Sequence, residues 1–151
     1  MDKIDIKIIN ALINNSRCNA SEISELVGLS VSAVIERIKK LENSGLIKKY
    51  TVILNNEMLG RDVSAIIMVT LEHPKFNDGF VNAMLEHDDI LECHYLAGDF
   101  DYMLKISTYN TQKLERILYD IKSIPGVSKT KTIVILSTLK NEYSNLLRKH
   151  K

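Results

Sequence analysis

Apolar residues recur at three- and four-residue steps through the first third of the chain and then switch to strand-like alternation. Asp2 reads as an N-cap with Asp5 at the third helical position, and Ile4, Ile8 and Leu12 beside Ile9 and Ile13 mark a first helix that closes at Asn14-Asn15-Ser16. Asn19 with Glu22 three residues on is a capping box, so a second helix starts near Ala20, turns Ile23, Leu26 and Val27 to one side, and stops at Gly28. Ser30 caps a third helix in which Val34, Ile35, Ile38 and Leu41 form the buried stripe, with Gly45 at its end. Only Gly28 and Leu29 link the last two helices, so they cross steeply in a helix-turn-helix.

From Leu46 to Leu54 β-branched and aromatic residues predict a strand, followed by an Asn55-Asn56-Glu57 turn and a boundary at Leu59-Gly60-Arg61-Asp62. Beyond it, Val63, Ala65, Ile67, Val69 and Leu71 give the inward face of a strand, and a helix carrying Phe80, Val81, Met84 and Leu85 follows. Strands at Ile90 to Ala97 and Tyr102 to Thr108 flank the Gly98-Asp101 turn; a helix with Leu114, Ile117, Leu118 and Ile121 ends at Pro125-Gly126, and a last strand runs from Val127 to Ser137. The order βαββαβ is the ferredoxin-like plan, so the fold class is α+β: residues 1–60 form a winged helix-turn-helix with its linking strand, 61–140 a βαββαβ domain and 141–151 a tail with a short helix from Asn141 to Lys149. Ile66 and Met68 on the other face of the first strand, with the run from Thr132 to Leu136, call for a cover on that face too, and a two-fold dimer sheet to sheet is the simplest one.

A helix-turn-helix offers its second helix to a major groove, and the face formed by Ser30, Ser32, Ala33, Glu36, Arg37 and Lys40 points away from the stripe. Ser32 and Ala33 are small enough for close approach to base edges, Arg37 and Lys40 reach bases or phosphates, and Lys48 and Lys49 fall where a wing meets the backbone. Arg17 either meets a phosphate or pairs with an acid such as Asp5. A helical hairpin with a solvated Lys/Glu face accounts for the same spacing.

Charge narrows the picture. The net charge of the 151 residues is +1, with 8 Lys/Arg against 7 Asp/Glu up to Gly60 and 12 against 12 after it. Indiscriminate coating of nucleic acid is therefore disfavoured, and DNA binding must rest on the clusters Arg37-Lys39-Lys40 and Lys48-Lys49, doubled by dimerisation. Cys18 and Cys93 lack any disulfide or zinc spacing and read as free thiols of a reducing cytoplasm; no run is apolar enough to span a membrane, and the acid-led first helix is unlike a signal peptide. No metal site, cofactor or catalytic set emerges: His94, near Asp99 and Asp101, alternates along a strand with Glu92 and Leu96 and has no second ligand or nucleophile beside it.

Asp5, Leu12, Arg17, the run LSVSAV-x-x-RIKKLE-x-x-GLI, Leu59-Gly60, GDFDY at Gly98 to Tyr102, PGV at Pro125 to Val127, Thr130, Thr132 and Lys140 together resemble the Lrp/AsnC family of transcription regulators, over Asp2 to Lys140. The resemblance implies double-stranded DNA as partner, dimers that assemble into octamers or other multimers, and a small effector, usually an amino acid, bound near the turn. Carried over by residue, it points to Gly98, Asp99, Asp101 and Tyr102, with Thr130 and Thr132 on the last strand as further candidates. Asp99 or Asp101 suits an ammonium group and the turn amides a carboxylate, though Gly and Asp also build ordinary hairpins. An architectural DNA-binding protein that senses nothing is the alternative.

Overall fold

The computed structural model describes residues 1–148, which divide into two compact units, Met1–Ile53 with the tail from Lys140, and Leu54–Leu139.

In the first unit three helices form as their caps dictate: α1 (Lys3–Asn14), α2 (Ala20–Val27) and α3 (Val31–Asn43). Asp2 and Asp5 make a reciprocal capping box, as do Asn19 and Glu22, and Ser30 Oγ accepts the Ala33 amide. Gly28 ends α2 with φ 71°, in the left-handed region where a side chain is penalised, and lets α3 start two residues later. Ile8, Ile9, Ile23, Val34 and Leu41 are the buried centre.

Two residues read into that centre lie outside it: Leu26 and Ile35 are exposed. Successive helical residues are about 100° apart, so with Val34 fully buried Ile35 swings to the rim. On α2 the inward place is taken by Ser24, whose hydroxyl donates to the Ser21 carbonyl at 2.7 Å.

The strand expected from Leu46 to Leu54 does not form. Leu46 and Ile47 form a bend and the residues after them have no regular structure, because no segment among the described residues runs alongside to complete a ladder, and Val52, Ile53 and Leu54 stay exposed. Nor is there a helix from Asn141 to Arg148, while Lys149 lies outside the described residues. Instead the tail docks on α1: the Asn10 amide donates to the Leu147 carbonyl at 2.9 Å and accepts its N–H at 2.7 Å, and the Leu147 side chain joins the helical core. The second unit begins earlier than Gly60, at Leu54, because the Arg61 amide closes a turn onto the Asn56 carbonyl at 2.8 Å.

That unit is a four-stranded antiparallel sheet of β1 (Val63–Leu71), β2 (Ile90–Tyr95), β3 (Tyr102–Thr108) and β4 (Val127–Ile135), in the order β2-β3-β1-β4. With α4 (Asn77–Leu85) after β1 and α5 (Thr111–Lys122) after β3, this is the expected βαββαβ plan. Ala65, Ile67, Val69 and Leu71 alternate inward and pack with Leu104, Ile106, Phe80, Met84, Ile117 and Ile121. Among the described residues only this face is covered. Across the registers Ile66 pairs with Lys105 and Ile133, and Met68 with Met103 and Lys131, placing an apolar stripe with flanking lysines on the outer face. Where the chain joins β1, Arg61 donates to the Ser107 carbonyl at 2.8 Å and lies 3.5 Å from buried Asp89, which Lys113 approaches at 3.3 Å.

Gly126 precedes β4 with φ 89°, and a Cβ there would run into the Phe76 ring. Gly126→Ala therefore combines left-handed strain with overpacking and should destabilise the sheet unit by about 2–4 kcal/mol. Denaturant unfolding measures the loss, and a change under about 0.5 kcal/mol would show that Phe76 moves aside and that the backbone relaxes out of the left-handed region as well.

Candidate functional site

The start of α1 fixes α3 through one guanidinium. Each capping-box carboxylate uses one oxygen for the cap and offers the other to Arg37, whose Nη1 donates to Asp2 Oδ2 at 2.6 Å and Asp5 Oδ1 at 2.7 Å. Arg37, expected to reach bases or phosphates, is thus turned to its own α1. The Asp5 amide and then the Arg37 guanidinium hold the Asp2 carboxyl down at about 2, against 3.8 ordinarily, while the two acids push the arginine up. Asp5 being taken, it is not the partner of Arg17, which is exposed and makes no ion pair among the described residues.

Along α3, Ser30 is spent as the cap, with its hydroxyl 3.1 Å from that of Ser32. Ser32, Glu36 and Lys40 are exposed and Ala33 is half-buried. Val31 and Ile35, which the sequence does not single out as readers, are also exposed on this helix, as is Lys39 of the basic cluster. The helical wheel held the clue, since Val34 and Ile35 cannot both face inward. Lys48 and Lys49 are exposed in the segment after α3. Tyr50 returns it to the helix, its hydroxyl donating to Glu42 at 2.9 Å, and burial followed by that carboxylate raises the phenol to about 12.

In the sheet unit the turn from Gly98 to Asp101 folds over the end of β1. The Asp101 amide donates to the Val69 carbonyl at 2.9 Å, its carboxylate accepts the Leu71 amide at 2.8 Å, and its carbonyl accepts the Leu96 amide at 2.8 Å. Asp101 therefore builds the turn. Gly98 and Asp99 stay exposed, and Asp99 makes no ion pair among the described residues. Neither fold nor packing requires the glycine at 98: its φ is not in the left-handed region and a Cβ would meet nothing within 4 Å.

Tyr102 is 4% exposed, its ring 4.8 Å from Phe80 and 5.2 Å from Tyr95. Burial, then its charged neighbours, raises its hydroxyl. It helps line an open cleft of about 510 Å3 with Asn77, Asp78, Val81, Asn82 and Tyr95, a polar wall that the sequence did not reveal. Tyr95, Tyr102, Val69 and Thr130 form one row across the four strands, so Thr130 lies near the turn, while Thr132 belongs to the next row on its strand, opposite Ile67.

The chain thus joins a helix-turn-helix unit to a one-sided βαββαβ unit. The family model for winged helix-turn-helix DNA-binding matches residues 1–48, and that for the Lrp/AsnC ligand binding domain matches residues 64–145. The HTH-type transcriptional regulator FL11 of Pyrococcus horikoshii is 40% identical over 140 residues, covering 93% of this chain and 92% of its own. The leucine-responsive regulatory protein of Escherichia coli K12 is 34% identical over 143 residues, with 93% and 87% covered. A crystal structure of the Neisseria meningitidis regulator NMB0573 in complex with L-Met superposes with a TM-score of 0.92 at 28% identity, covering 96% of each chain. The chain belongs to the Lrp/AsnC family. It is a DNA-binding transcriptional regulator and not an enzyme.

Because the folded Asp2 value lies below the unfolded one, this carboxylate's contribution to stability is complete above about pH 4 and is lost as pH falls through about 2. In Arg37→Ala the Asp2 midpoint should move up toward 3.8 without reaching it, since the Asp5 amide still binds the carboxylate. An NMR titration of the Asp2 side chain reads this directly; a midpoint left at about 2 would mean that the cap alone sets it.

Proposed function

We propose that the chain acts in the cytoplasm as a two-fold dimer, and that higher multimers built from it present paired α3 helices to operator DNA under the control of a bound amino acid. The observation that carries the reading is the bare outer face of the sheet, where Ile66, Met68, Met103, Ile133 and Ile135 lie together with Ile133 46% exposed. A contiguous apolar face of this kind is stable in water only when covered, and a second copy supplies the matching surface. The residues from Leu46 to Leu54, strand-like in composition, similarly have no ladder partner among the described residues.

DNA contact is assigned to Ser30, Ser32, Ala33, Glu36 and Lys40 of α3, with Arg17, Lys48 and Lys49 on flanking phosphates and Arg37 orienting the helix. The effector is assigned to Gly98, Asp99 and Tyr102, held by Asp101, with Thr130 and Thr132 adjoining. The exposed Asp99 carboxylate suits the ammonium group and unspent turn amides suit the carboxylate, while Gly98 keeps the approach open. The methionine complex of the neisserial regulator supports an amino acid as the ligand class.

Sedimentation and DNA-binding titrations with each of the twenty amino acids test the reading. The expected result is a dimer or larger species that binds its own promoter and changes affinity or assembly with at least one of them. A monomer indifferent to every promoter fragment refutes it; DNA binding that no amino acid alters leaves an architectural protein. Asp99→Asn should abolish the response at unchanged melting temperature. Asp101→Ala, by contrast, should lower the melting temperature by several degrees, because the Leu71 amide loses its acceptor, at about 1–2 kcal/mol.

A further inference from the structure

We infer that Val31 and Ile35 are specificity-determining residues which read the methyl groups of two thymines in the major groove. The inference rests on the DNA-binding reading above and adds what that surface recognises. Val31 is 41% and Ile35 42% exposed, one helical turn apart in the N-terminal half of α3, on the rim between buried Val34 and the exposed sector of the helix. Ser32 and Lys39 lie next to Ile35 in the exposed sector, with Glu36 and then Lys40 farther round, so the apolar pair is bordered by a small hydroxyl and one cation suited to a phosphate.

Helix formation does not favour this choice. β-branched side chains lose rotamer freedom in a helix and are worse there than alanine by a few tenths of a kcal/mol each. Neither belongs to the helical core, which is closed by Ile8, Ile9, Ile23, Val34 and Leu41. Base edges in the major groove present hydrogen-bonding groups with one exception, the C5 methyl of thymine, the natural contact for an aliphatic side chain. Residues four apart rise about 6 Å along the axis. That is slightly less than two base steps at about 3.4 Å each, so the two methyls are expected about two steps apart in each half-site.

The test uses the full chain and a duplex that it selects from a random library. Each thymine of that duplex is replaced in turn by deoxyuridine, which removes the methyl and leaves base pairing intact. Affinities are measured for the wild type, Val31→Ala and Ile35→Ala, with circular dichroism and sedimentation confirming fold and assembly. For the wild type, uracil at one or two positions per half-site should weaken binding about fourfold, the worth of one buried methyl. Each variant should bind the unmodified duplex correspondingly less well and lose its sensitivity at one of those positions. Uracil tolerated everywhere, or the same loss in all three proteins, overturns the assignment. So does a change of sedimentation in Ile35→Ala with methyl dependence retained, which would make the pair a contact between protomers. A chain that selects no duplex overturns the DNA-binding reading and this assignment together, whereas selection without methyl dependence overturns only the assignment.

Discussion

A helix or strand buries one face against its own unit, and whatever apolar surface the sequence places on the other face is left over. Both units of this chain are arranged by that constraint. In the sheet, Ala65, Ile67, Val69 and Leu71 face α4 and α5, which leaves Ile66 and Met68 of the same strand without cover. On α3, Val34 and Leu41 face α1 and α2, which leaves Val31 and Ile35 outside. The surfaces that matter for partners are these remainders, one wide and flat, the other narrow and framed by charge.

Placement of polar groups follows the same economy. Asp2 and Asp5 satisfy the orphan amides of α1 with one oxygen each and the Arg37 guanidinium with the other, so helix capping and helix docking share a pair of carboxylates. Asp101 serves both as a turn residue and as the acceptor for the last amide of β1. Residues that resemble ligand contacts by type are therefore employed inside the fold, and the free groups beside them, Lys39 and Lys40 on α3 and Asp99 in the turn, are the ones open to a partner. In both places the anchored residue is charged and the neighbour it orients is exposed.

Local chemistry was legible in the chain. The two capping boxes, the Ser30 cap, the left-handed Gly28, the alternation of β1 and the order of elements were all readable, because each depends on residues within about four positions or on a simple period. Extrapolation failed where a partner lay far away or was missing. Leu46 to Leu54 has strand composition without a neighbouring strand among the described residues, and the tail with Tyr143, Leu146 and Leu147 at helical spacing gave its backbone to Asn10, 137 positions distant.

The sequence alone determined the helix-turn-helix, the βαββαβ order and the turn from Gly98 to Asp101, since periodicity, capping and turn chemistry act within a few residues. Only the tertiary structure decided that Asp5 takes Arg37 over Arg17, that the Asp101 carboxylate closes β1, that Tyr102 borders a polar cleft, and that Ile35 points outward. The two carboxylates meet partners 30 or more positions away, the cleft joins a helix and two strands, and Val34 and Ile35 compete for one place in the core, so none of these outcomes is visible within a single element's span.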